Sequence, residues 1–396
     1  MDERTGLPVV TMVGGGQLAR MTHQAAVSLG QSLRVLATGP DEPAALVAPD
    51  VVLGDHRDPH ALRRAAQGAE ALTFDHEHVP GELLRALVDD GVTVHPGPDA
   101  LAHAQDKLLM RRRLAALGEL VPPFAPVAGL DDVTAFAAEH GWPVVLKAVR
   151  GGYDGRGVWM LDDADAAAGT VPDLLAAEVP LMVEQKVALR RELAVLLARS
   201  PFGQAAVYPV VETVQREGIC VEVLAPAPGL DEDASDAAEE LGLRVAAALG
   251  VVGLLAVELF ETPDGALVVN ELAMRPHNSG HWTMDGAVTS QFEQHLRAVL
   301  DYPLGATTAH APACVMANVL GGDPVPATGI DERCHHTLAR FPDARVHLYG
   351  KSERPGRKIG HVNVTGSDPD EVRRRARLAA DHLSTGVWSD GWDPHR

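Results

Sequence analysis

Short apolar runs alternate with longer stretches of helical periodicity through the first hundred residues. Apolar runs at residues 9–13 and 33–37 have the length of buried strands, and a helical segment lies between them. Strands that alternate with helices in this way predict βαβ units and a parallel sheet. Pro96-Gly97-Pro98 then breaks the pattern, so we predict a first domain over residues 1–98.

The middle of the chain continues the alternation with longer elements. The pattern predicts a helix over residues 104–117 and a long amphipathic helix over residues 232–249. Tyr302-Pro303 interrupts it. We therefore predict a second domain over residues 99–303, with a smaller unit inside it at about 125–190.

The last part of the chain predicts a third, smaller domain over residues 304–396. We predict strands near residues 313–319 and 335–338, and an Arg-rich stretch predicts a final helix over residues 369–383. The complete pattern is that of an α/β protein.

An Asp-Gly pair between two apolar runs predicts a β-hairpin over residues 254–271. If Asp264-Gly265 is a two-residue loop, Glu258 lies directly opposite Glu271, with Cβ atoms about 5 Å apart on one face. Like charges so placed repel, and a divalent cation between them would compensate. We therefore predict that both carboxylates bind a metal ion. The alternative is a β-bulge that sends the two side chains to opposite faces.

A glycine-rich segment, GGYDGRG at residues 151–157, follows an apolar strand that ends at Lys147. Glycines let the backbone approach a ligand closely and present N–H groups to phosphate oxygens. This is not a Walker A loop, because it has no Gly-Lys-Ser/Thr and a strand follows it. We predict a hairpin tip that closes over a polyphosphate. An ordinary glycine turn would leave Lys147, Asp154 and Arg156 unexplained.

A second glycine-rich turn, Gly14-Gly15-Gly16, connects the first strand to a helix that begins near Gln17. Such a turn frees the N-terminus of the helix to hold an anion. The spacing also fits a dinucleotide-binding fingerprint, which requires an acidic residue at the tip of the second strand. Thr38-Gly39 occupies that tip, and Asp41 comes late. The turn alone is therefore weak evidence for NAD.

The segment from Asn270 to Thr283 combines a carboxylate, a guanidinium, two imidazoles and an amide directly after an apolar strand. A mixture of both charges at a strand end suits a site that handles a metal-bound anion. A polar loop that is merely rich in histidine is the alternative. The matching groups elsewhere in the chain favour the site.

Composition narrows the classes of function. A chain of 396 residues is long enough for two or three domains, and 46% hydrophobic residues support a packed globule. A formal charge of −20 argues against non-specific binding to nucleic acids or anionic membranes. We predict a cytoplasmic protein. The three cysteines are scattered, the N-terminus has no apolar segment, and no apolar run reaches about 20 residues.

The order of these motifs resembles one family from end to end. The shared segments are GGGQLARM at residues 14–21, DHEHV at 75–79, QDK at 105–107, GGYDGRG, EQKV at 184–187, Asn270-Glu271, RPHNSGHWT at 275–283 and RPGRK at 354–358. The chain is similar to N5-carboxyaminoimidazole ribonucleotide synthetases of the ATP-grasp superfamily. The resemblance implies an ATP-grasp fold with an N-terminal Rossmann-like domain and a C-terminal segment that completes the substrate site.

The resemblance also implies a reaction. An enzyme of this family uses ATP and bicarbonate to carboxylate aminoimidazole ribonucleotide, through carboxyphosphate, in purine biosynthesis. Mg²⁺ would accompany ATP, and the enzyme would work as a cytoplasmic homodimer without a nucleic-acid or membrane partner.

Roles for individual residues follow from the resemblance. Groups expected at the bicarbonate are Arg275, His277, Asn278, Lys351, Tyr153 and Arg156. Groups expected at ATP are Lys107, Lys147, Gly152, Tyr153, Asp154, Gly155, Arg156, Gly157, Glu184, Gln185, Lys186, Val187, Glu192, Gln215, Asn270 and Glu271. Groups expected at the ribonucleotide are Gly16, Gln17, Leu18, Glu77, Arg354, Arg357 and Lys358. The expected metal ligands are Glu258 and Glu271.

Three positions depart from the family pattern. Gln215 replaces a common histidine near the nucleotide, Met274 replaces a proline before Arg275, and Asp75 replaces a glutamate. Other possible functions are a formate-using glycinamide ribonucleotide transformylase, an NAD-linked oxidoreductase and a non-catalytic nucleotide sensor. The RPHNSGH and RPGRK segments argue against the first, and the absent ribose acid argues against the second. The intact charged residues argue against the third.

Overall fold

A computed structural model describes residues 2, 5–152 and 155–393 of the chain. Its first sheet is fully parallel, with the order β3-β2-β1-β4. The strands are β1 Val9–Val13, β2 Ser32–Ala37, β3 Asp50–Leu53 and β4 Ala71–Phe74. The helices around it are α1 Gln17–Leu29, α2 Pro59–Ala66, α3 Gly81–Asp89 and α4 Pro98–Gln105. All of β1 is buried, as expected for a central parallel strand that is covered on both faces.

A second sheet carries the glycine-rich segment. Its order is β5-β8-β6-β7, and its pairs are antiparallel. The strands are β5 Phe124–Val127, β6 Val144–Ala148, β7 Val158–Leu161 and β8 Leu181–Gln185, with helices α6 Leu130–His140 and α7 Ala164–Ala176 packed on the sheet. The GGYDGRG segment joins the paired strands β6 and β7, which confirms the predicted hairpin.

The third sheet is the largest and has the order β14-β13-β9-β11-β12-β15-β17-β16, with β10 paired to β9. Its strands are β9 Arg191–Arg199, β10 Ala205–Val207, β11 Val211–Arg216, β12 Ile219–Ala225, β13 Gly253–Glu261, β14 Leu267–Ala273, β15 Ala313–Leu320, β16 Arg345–Leu348 and β17 Lys358–Gly366. The remaining helices are α5 Lys107–Ala116, α8 Glu232–Leu249, α9 Thr283–Gly286, α10 Gln291–Val299, α11 Ile330–Arg340 and α12 Pro369–Thr385. The pairing of β12 with β15 carries the sheet across residue 303, so the C-terminal strands extend the central sheet.

The β13–β14 hairpin has the predicted pairing for a different reason than the sequence suggested. Its loop is not the expected two-residue turn: Thr262 pairs with Ala266, which leaves three residues in the loop, and the pairs next to the loop include Glu261 with Leu267. A bulge then shifts the register by one residue, so Glu258 still lies opposite Glu271. Two irregularities of opposite effect therefore bring the carboxylates together.

Two other sequence predictions are wrong in detail. Residues 335–338, expected as a strand, lie in α11, where the buried hydroxyl of Thr337 lies 2.9 Å from His382 Nδ1 on α12. The single helix expected over residues 104–117 is divided into α4 and α5 at Asp106, whose side chain caps the second helix at the N–H of Leu109. Among the described residues, no helix is both long and apolar enough to cross a bilayer.

Candidate active site

Two facing carboxylates form the centre of the site. Glu258 on β13 lies opposite Glu271 on β14, and the bulged Asn270 donates to Glu258 Oε2 at 3.3 Å. Burial, helped by the charges of Glu271 and Glu192, raises the pKa of Glu258 to about 7. Burial also acts on Glu271, but the ammonium of Lys107, 2.8 Å from its Oε1, outweighs it and lowers the pKa of that carboxyl. The pair offers only oxygen atoms, which are the ligands that Mg²⁺ prefers.

A buried group of cations lies beside these carboxylates. Lys147 on β6 approaches Glu184 Oε2 at 2.6 Å and Asn270 Oδ1 at 3.4 Å. The other oxygen of Glu184 accepts from Arg111 Nε at 2.6 Å. Burial alone would raise the pKa of Glu184, but the two cations outweigh it and hold that pKa below its usual value. The carboxylate of Glu184 is thus committed to Lys147 and Arg111.

Arg111 is a residue that the sequence analysis missed. Its side chain is completely buried, and its Nη1 and Nη2 atoms have no partner among the described residues. One signal was available, because Arg111 lies four residues after Lys107 and therefore on the same face of α5.

The predicted nucleotide edge lies where β8 ends and β9 begins. Glu184 and Gln185 close β8, and Lys186 and Val187 follow it toward β9. Glu192, the expected ribose acid, accepts a hydrogen bond from Gln215, and its burial raises its pKa. Gln215 therefore contacts the expected ribose acid directly.

The glycine-rich segment approaches the hairpin between β11 and β12. Gly151, Gly152, Gly155 and Gly157 all have positive φ, and a Cβ on Gly155 would lie 3.3 Å from Gly218 Cα. Arg156 is exposed at the tip. Tyr153 and Asp154, both predicted ligands, lie outside the described residues.

Gly155→Val should lower kcat/KM for ATP roughly tenfold while the protein still folds, because a β-branched residue is strained at φ +75° and closure over ATP needs this tip. Steady-state kinetics would measure the loss. Gly91→Val is a matched control, since Gly91 also has positive φ, +87°, but lies in the turn after α3.

Mg-ATP should also protect residues 151–157 from limited proteolysis. Identical cleavage with and without nucleotide would contradict a closing role.

The loop after β14 joins the carboxylate pair to the first sheet. Arg275 Nε donates to Glu77 Oε2 at 2.7 Å, and this contact outweighs burial and raises the pKa of Arg275. His277 Nε2 lies 3.5 Å from Glu258 Oε1. Burial, with the charge of Arg275, lowers the pKa of His277 to about 3, so the imidazole is neutral. The loop thus places a cation and a neutral hydrogen-bonding group beside the predicted metal ligands.

Asn278 is held by a partner that the sequence analysis did not identify. Its side-chain amide exchanges two hydrogen bonds with Asn318 on β15, at 3.1 and 2.8 Å. Asn318 also donates to the carbonyl of Cys220 on β12 at 2.9 Å. Nothing in the local sequence pairs residues 278 and 318, because β15 brings the second amide from the C-terminal part of the sheet.

The glycine turn at the start of α1 and the C-terminal basic run meet in the fold. Lys351 Nζ donates to Gln17 Oε1. Arg354 is exposed, Arg357 donates to Ser352 Oγ at 2.8 Å, and Lys358 begins β17 close enough to lower the pKa of His277. Lys351 therefore joins the C-terminal segment to the start of α1, and Lys358 lies near the loop after β14.

Asp75 already occupies part of this turn. Its Oδ2 accepts from the N–H of Gly16 at 2.7 Å, so a bound anion there would meet a carboxylate. The Gly16 N–H lowers the pKa of Asp75, but burial dominates and raises it to about 7. The charge of Asp75 is thus sensitive to pH near neutrality.

Asp75→Asn should stabilise the protein above pH 7 and have little effect near pH 4. A carboxyl whose pKa rises from 3.8 to about 7 on folding adds stability below pH 3.8, which is lost as pH rises through 7. Each unit of pKa shift corresponds to about 1.4 kcal/mol, so the free energy of unfolding of the variant should exceed that of the wild type by up to roughly 4 kcal/mol. Denaturant unfolding at pH 4.5 and pH 8 would measure it. An equal difference at both pH values would contradict this origin.

Family models match three consecutive parts of the chain. A ribonucleotide synthetase preATP-grasp domain matches residues 7–105, an ATP-grasp domain matches residues 112–292, and a phosphoribosylaminoimidazole carboxylase C-terminal domain matches residues 314–375. These matches agree with the α/β architecture and the parallel N-terminal sheet.

Relatives match nearly the whole chain. An N5-carboxyaminoimidazole ribonucleotide synthase of Mycobacterium tuberculosis is 65% identical over 98% of this chain and 91% of its own length. The enzyme of that name from Corynebacterium ammoniagenes is 53% identical over 98% of this chain and 94% of its own.

Solved structures show the same fold. The N5-carboxyaminoimidazole ribonucleotide synthetase of Thermus thermophilus is 35% identical, with a TM-score of 0.85 over 97% of this chain and 100% of that one. An Aspergillus clavatus synthase, in complex with ADP and 5-aminoimidazole ribonucleotide, is 29% identical, with a TM-score of 0.85 over 95% and 98%.

Proposed function

The chain belongs to the family of N5-carboxyaminoimidazole ribonucleotide synthases, and on that premise we propose that it uses ATP and bicarbonate to carboxylate 5-aminoimidazole ribonucleotide in purine biosynthesis. One observation carries the proposal. The loop after β14 contacts both the carboxylate pair, through His277 and Glu258, and the first sheet, through Arg275 and Glu77. A nucleotide site and a ribonucleotide site that share this wall allow transfer between their ligands.

The first half of the reaction makes carboxyphosphate. An oxygen of bicarbonate bonds to the γ-phosphorus as the bond to the leaving oxygen of ADP breaks. Lys107 and Lys147 would neutralise the phosphate charge, with Gly152 to Gly157 above them. The nucleotide base and ribose would lie along residues 184–187 and against Glu192, which Gln215 holds in place.

Glu258 and Glu271 would hold Mg²⁺, and Asn270 would orient Glu258 through their 3.3 Å hydrogen bond. The bound cation would offset the negative charge that gathers on the transferred phosphoryl group. The all-oxygen ligand set and the position of Glu258 opposite Glu271 support this assignment.

The second half transfers the carboxyl group. The exocyclic amine of the ribonucleotide bonds to the carboxyl carbon, phosphate leaves, and the amine proton passes to phosphate or solvent. Arg275, His277 and Asn278, with Tyr153, Arg156 and Lys351, would surround the transferred group. Arginine offers paired donors to such an anion, whereas neutral His277 acts as a hydrogen-bonding group and not as a cation.

The ribonucleotide would extend from this point toward the glycine turn. Gly16, Gln17 and Leu18 at the N-terminus of α1 would bind it together with Glu77 and the basic run Arg354, Arg357 and Lys358. The contact between Lys351 and Gln17 supports this placement, because it joins the carboxylation groups to the turn.

We further propose a homodimer in the cytoplasm. No disulfide joins Cys220, Cys314 and Cys334 to one another, which agrees with a reducing compartment. Light scattering after size-exclusion chromatography would test the dimer.

Phosphate release tests the reaction. With Mg-ATP and bicarbonate, release should be rapid only when 5-aminoimidazole ribonucleotide is present, and labelled bicarbonate should enter an acid-labile carbamate. Turnover of glycinamide ribonucleotide that depends on formate, without bicarbonate incorporation, would overturn the proposal.

A further inference from the structure

Helix α10 buries three polar side chains, Gln291, Gln294 and His295, each completely. Gln291 is the first residue of the helix, and it faces the loop after β14. Its Oε1 accepts from the backbone N–H of His277 at 2.8 Å, and its Nε2 donates to the carbonyl of the same residue at 2.8 Å. The side-chain amide of Gln291 thus forms the same two hydrogen bonds with the backbone of His277 that a neighbouring β-strand would form.

The second N–H of Gln291 has a partner as well. Nε2 lies 2.8 Å from His281 Nδ1. A primary amide has two N–H groups, and one is used by the His277 carbonyl, so His281 Nδ1 must be the acceptor. Burial lowers the pKa of His281 far below its usual value, so the ring is neutral with its proton on Nε2. All the donors of Gln291 are therefore in use.

The packing prevents the amide from moving. A Cβ on Gly280 would lie only 2.5 Å from Gln291 Oε1, so glycine is required beside it. The backbone N–H of Gln291 donates to Thr283 Oγ1 at 2.8 Å, which fixes the start of the helix to the same loop. The loop and the helix hold each other in one arrangement.

Buried polar groups continue from His281 toward Lys351. The rings of His281 and His361 have centroids 5.0 Å apart, and neither Nε2 has a partner among the described residues. His361 Nδ1 lies 2.8 Å from the hydroxyl of Tyr349. Lys351 Nζ lies 5.6 Å from the Tyr349 ring. A chain of neutral groups thus spans the distance between His277 and Lys351.

We propose that Gln291 is a positioning residue for the carboxylation step. It holds the backbone of His277 on both sides and so sets Arg275 and Asn278 against the carboxylate pair and Lys351. This role rests on the function proposed above. Because a displacement of about 1 Å can cost two orders of magnitude in rate, loss of this hold should reduce turnover more than binding.

The chain contains a matched control three residues away. Gln294 lies on the same helix, is equally buried, and pairs in the same way with the backbone of Gly305, at 2.7 and 2.8 Å. Gly305 lies outside the proposed site. Replacement of either glutamine by Met removes two hydrogen bonds to the backbone from the interior. Gln291→Met also removes the bond to His281, so this variant should lose somewhat more stability.

The experiment compares Gln291→Met with Gln294→Met and the wild type. The midpoint temperature of unfolding should fall in both variants, and somewhat further in Gln291→Met. In Gln291→Met, kcat for carbamate formation should fall roughly 10- to 100-fold, with KM for ATP nearly unchanged and more phosphate released per carbamate. Gln294→Met should keep the wild-type kcat and the wild-type ratio of phosphate to carbamate.

Three outcomes would test the positioning role of Gln291 and the proposed function separately. Equal kcat in the two Met variants would overturn the role of Gln291 and leave the proposed function intact. A wild type that forms no carbamate would overturn the function itself. If Gln291→Met does not fold, Gln291→Glu decides, since it can still accept from the His277 N–H but loses the donation to the carbonyl. A wild-type kcat in that variant would refute the proposal.

Discussion

Glu271→Gln should remove nearly all turnover at saturating ATP and magnesium, by roughly 10³-fold, or about 4 kcal/mol of transition-state stabilisation. The carboxylate lies opposite Glu258 and pairs with Lys107 at 2.8 Å, so its loss weakens the predicted metal site and leaves a cation without its partner. Single-turnover phosphate release would measure the effect on chemistry. The unpaired Lys107 should also lower the free energy of unfolding.

Glu258→Gln should cost a similar factor in kcat but change stability in the opposite direction. Burial raises the pKa of Glu258 to about 7, so loss of its charge should make the metal-free protein more stable above that pH. Glu261→Gln provides a matched control, because Glu261 lies on the same strand, is buried, and pairs with Arg190 and Arg191 outside the site. A near-normal kcat in Glu258→Gln or Glu271→Gln would show that the paired carboxylates do not bind the catalytic metal.

Arg275→Lys should lower the rate of carbamate formation by about 100-fold while ATP binding stays nearly intact. Arg275 already donates from Nε to Glu77, and its Nη1 reaches the carbonyl of Pro276 at 3.2 Å. A guanidinium can keep such contacts and still present N–H groups to a carboxylate-like anion. A lysine ammonium cannot serve both in the same geometry. Bicarbonate-dependent turnover and nucleotide titration would separate the two effects.

Arg357→Ala is the informative comparison for Arg275→Lys. Arg357 belongs to the basic run and contacts Ser352, away from the carboxylate pair. Its loss should chiefly raise KM for the ribonucleotide. Added salt should reduce the difference in KM between the variant and the wild type, because salt screens partly exposed charges. If both variants lost ATP affinity equally, the bicarbonate and ribonucleotide groups would be assigned to the wrong subsites.

The β13–β14 hairpin shows which features a local sequence pattern predicts and which it does not. The Asp-Gly signal and the apolar runs predicted the hairpin, and the pairing of Glu258 with Glu271 is confirmed. The predicted loop length was wrong. A bulge was predicted only as an alternative that would separate the carboxylates, whereas the bulge at Asn270 restores their pairing. Turn length and bulges depend on how the strand packs on β9, so a local pattern does not determine them.

The prediction of a strand at residues 335–338 was wrong for a related reason. The segment contains only four residues, three of them polar, and periodicity does not separate a strand from a helix over so short a stretch. Contact with α12 selects the helix. By contrast, the long pattern over Glu232–Leu249 predicted α8 with its observed ends, because eighteen residues specify a helical period clearly.

Residues that act through distant partners were the hardest to predict. Arg111, Asn318 and Gln291 carry no motif of their own, and each matters through a contact with another element: Glu184, Asn278 or the His277 backbone. The fold brings Lys351 to Gln17 across 334 positions of sequence. Such contacts are a property of the packed chain.

By itself, the sequence determined the α/β class, the two hairpins and the family, because each depends on residue types at short, regular spacings. Only the tertiary structure decided which charges neutralise one another, which amides hold the loop after β14, and how the two ends of the chain meet at one site. Those choices depend on burial and on distances between elements, since a charge or an amide taken out of water must find its partner wherever the fold places it.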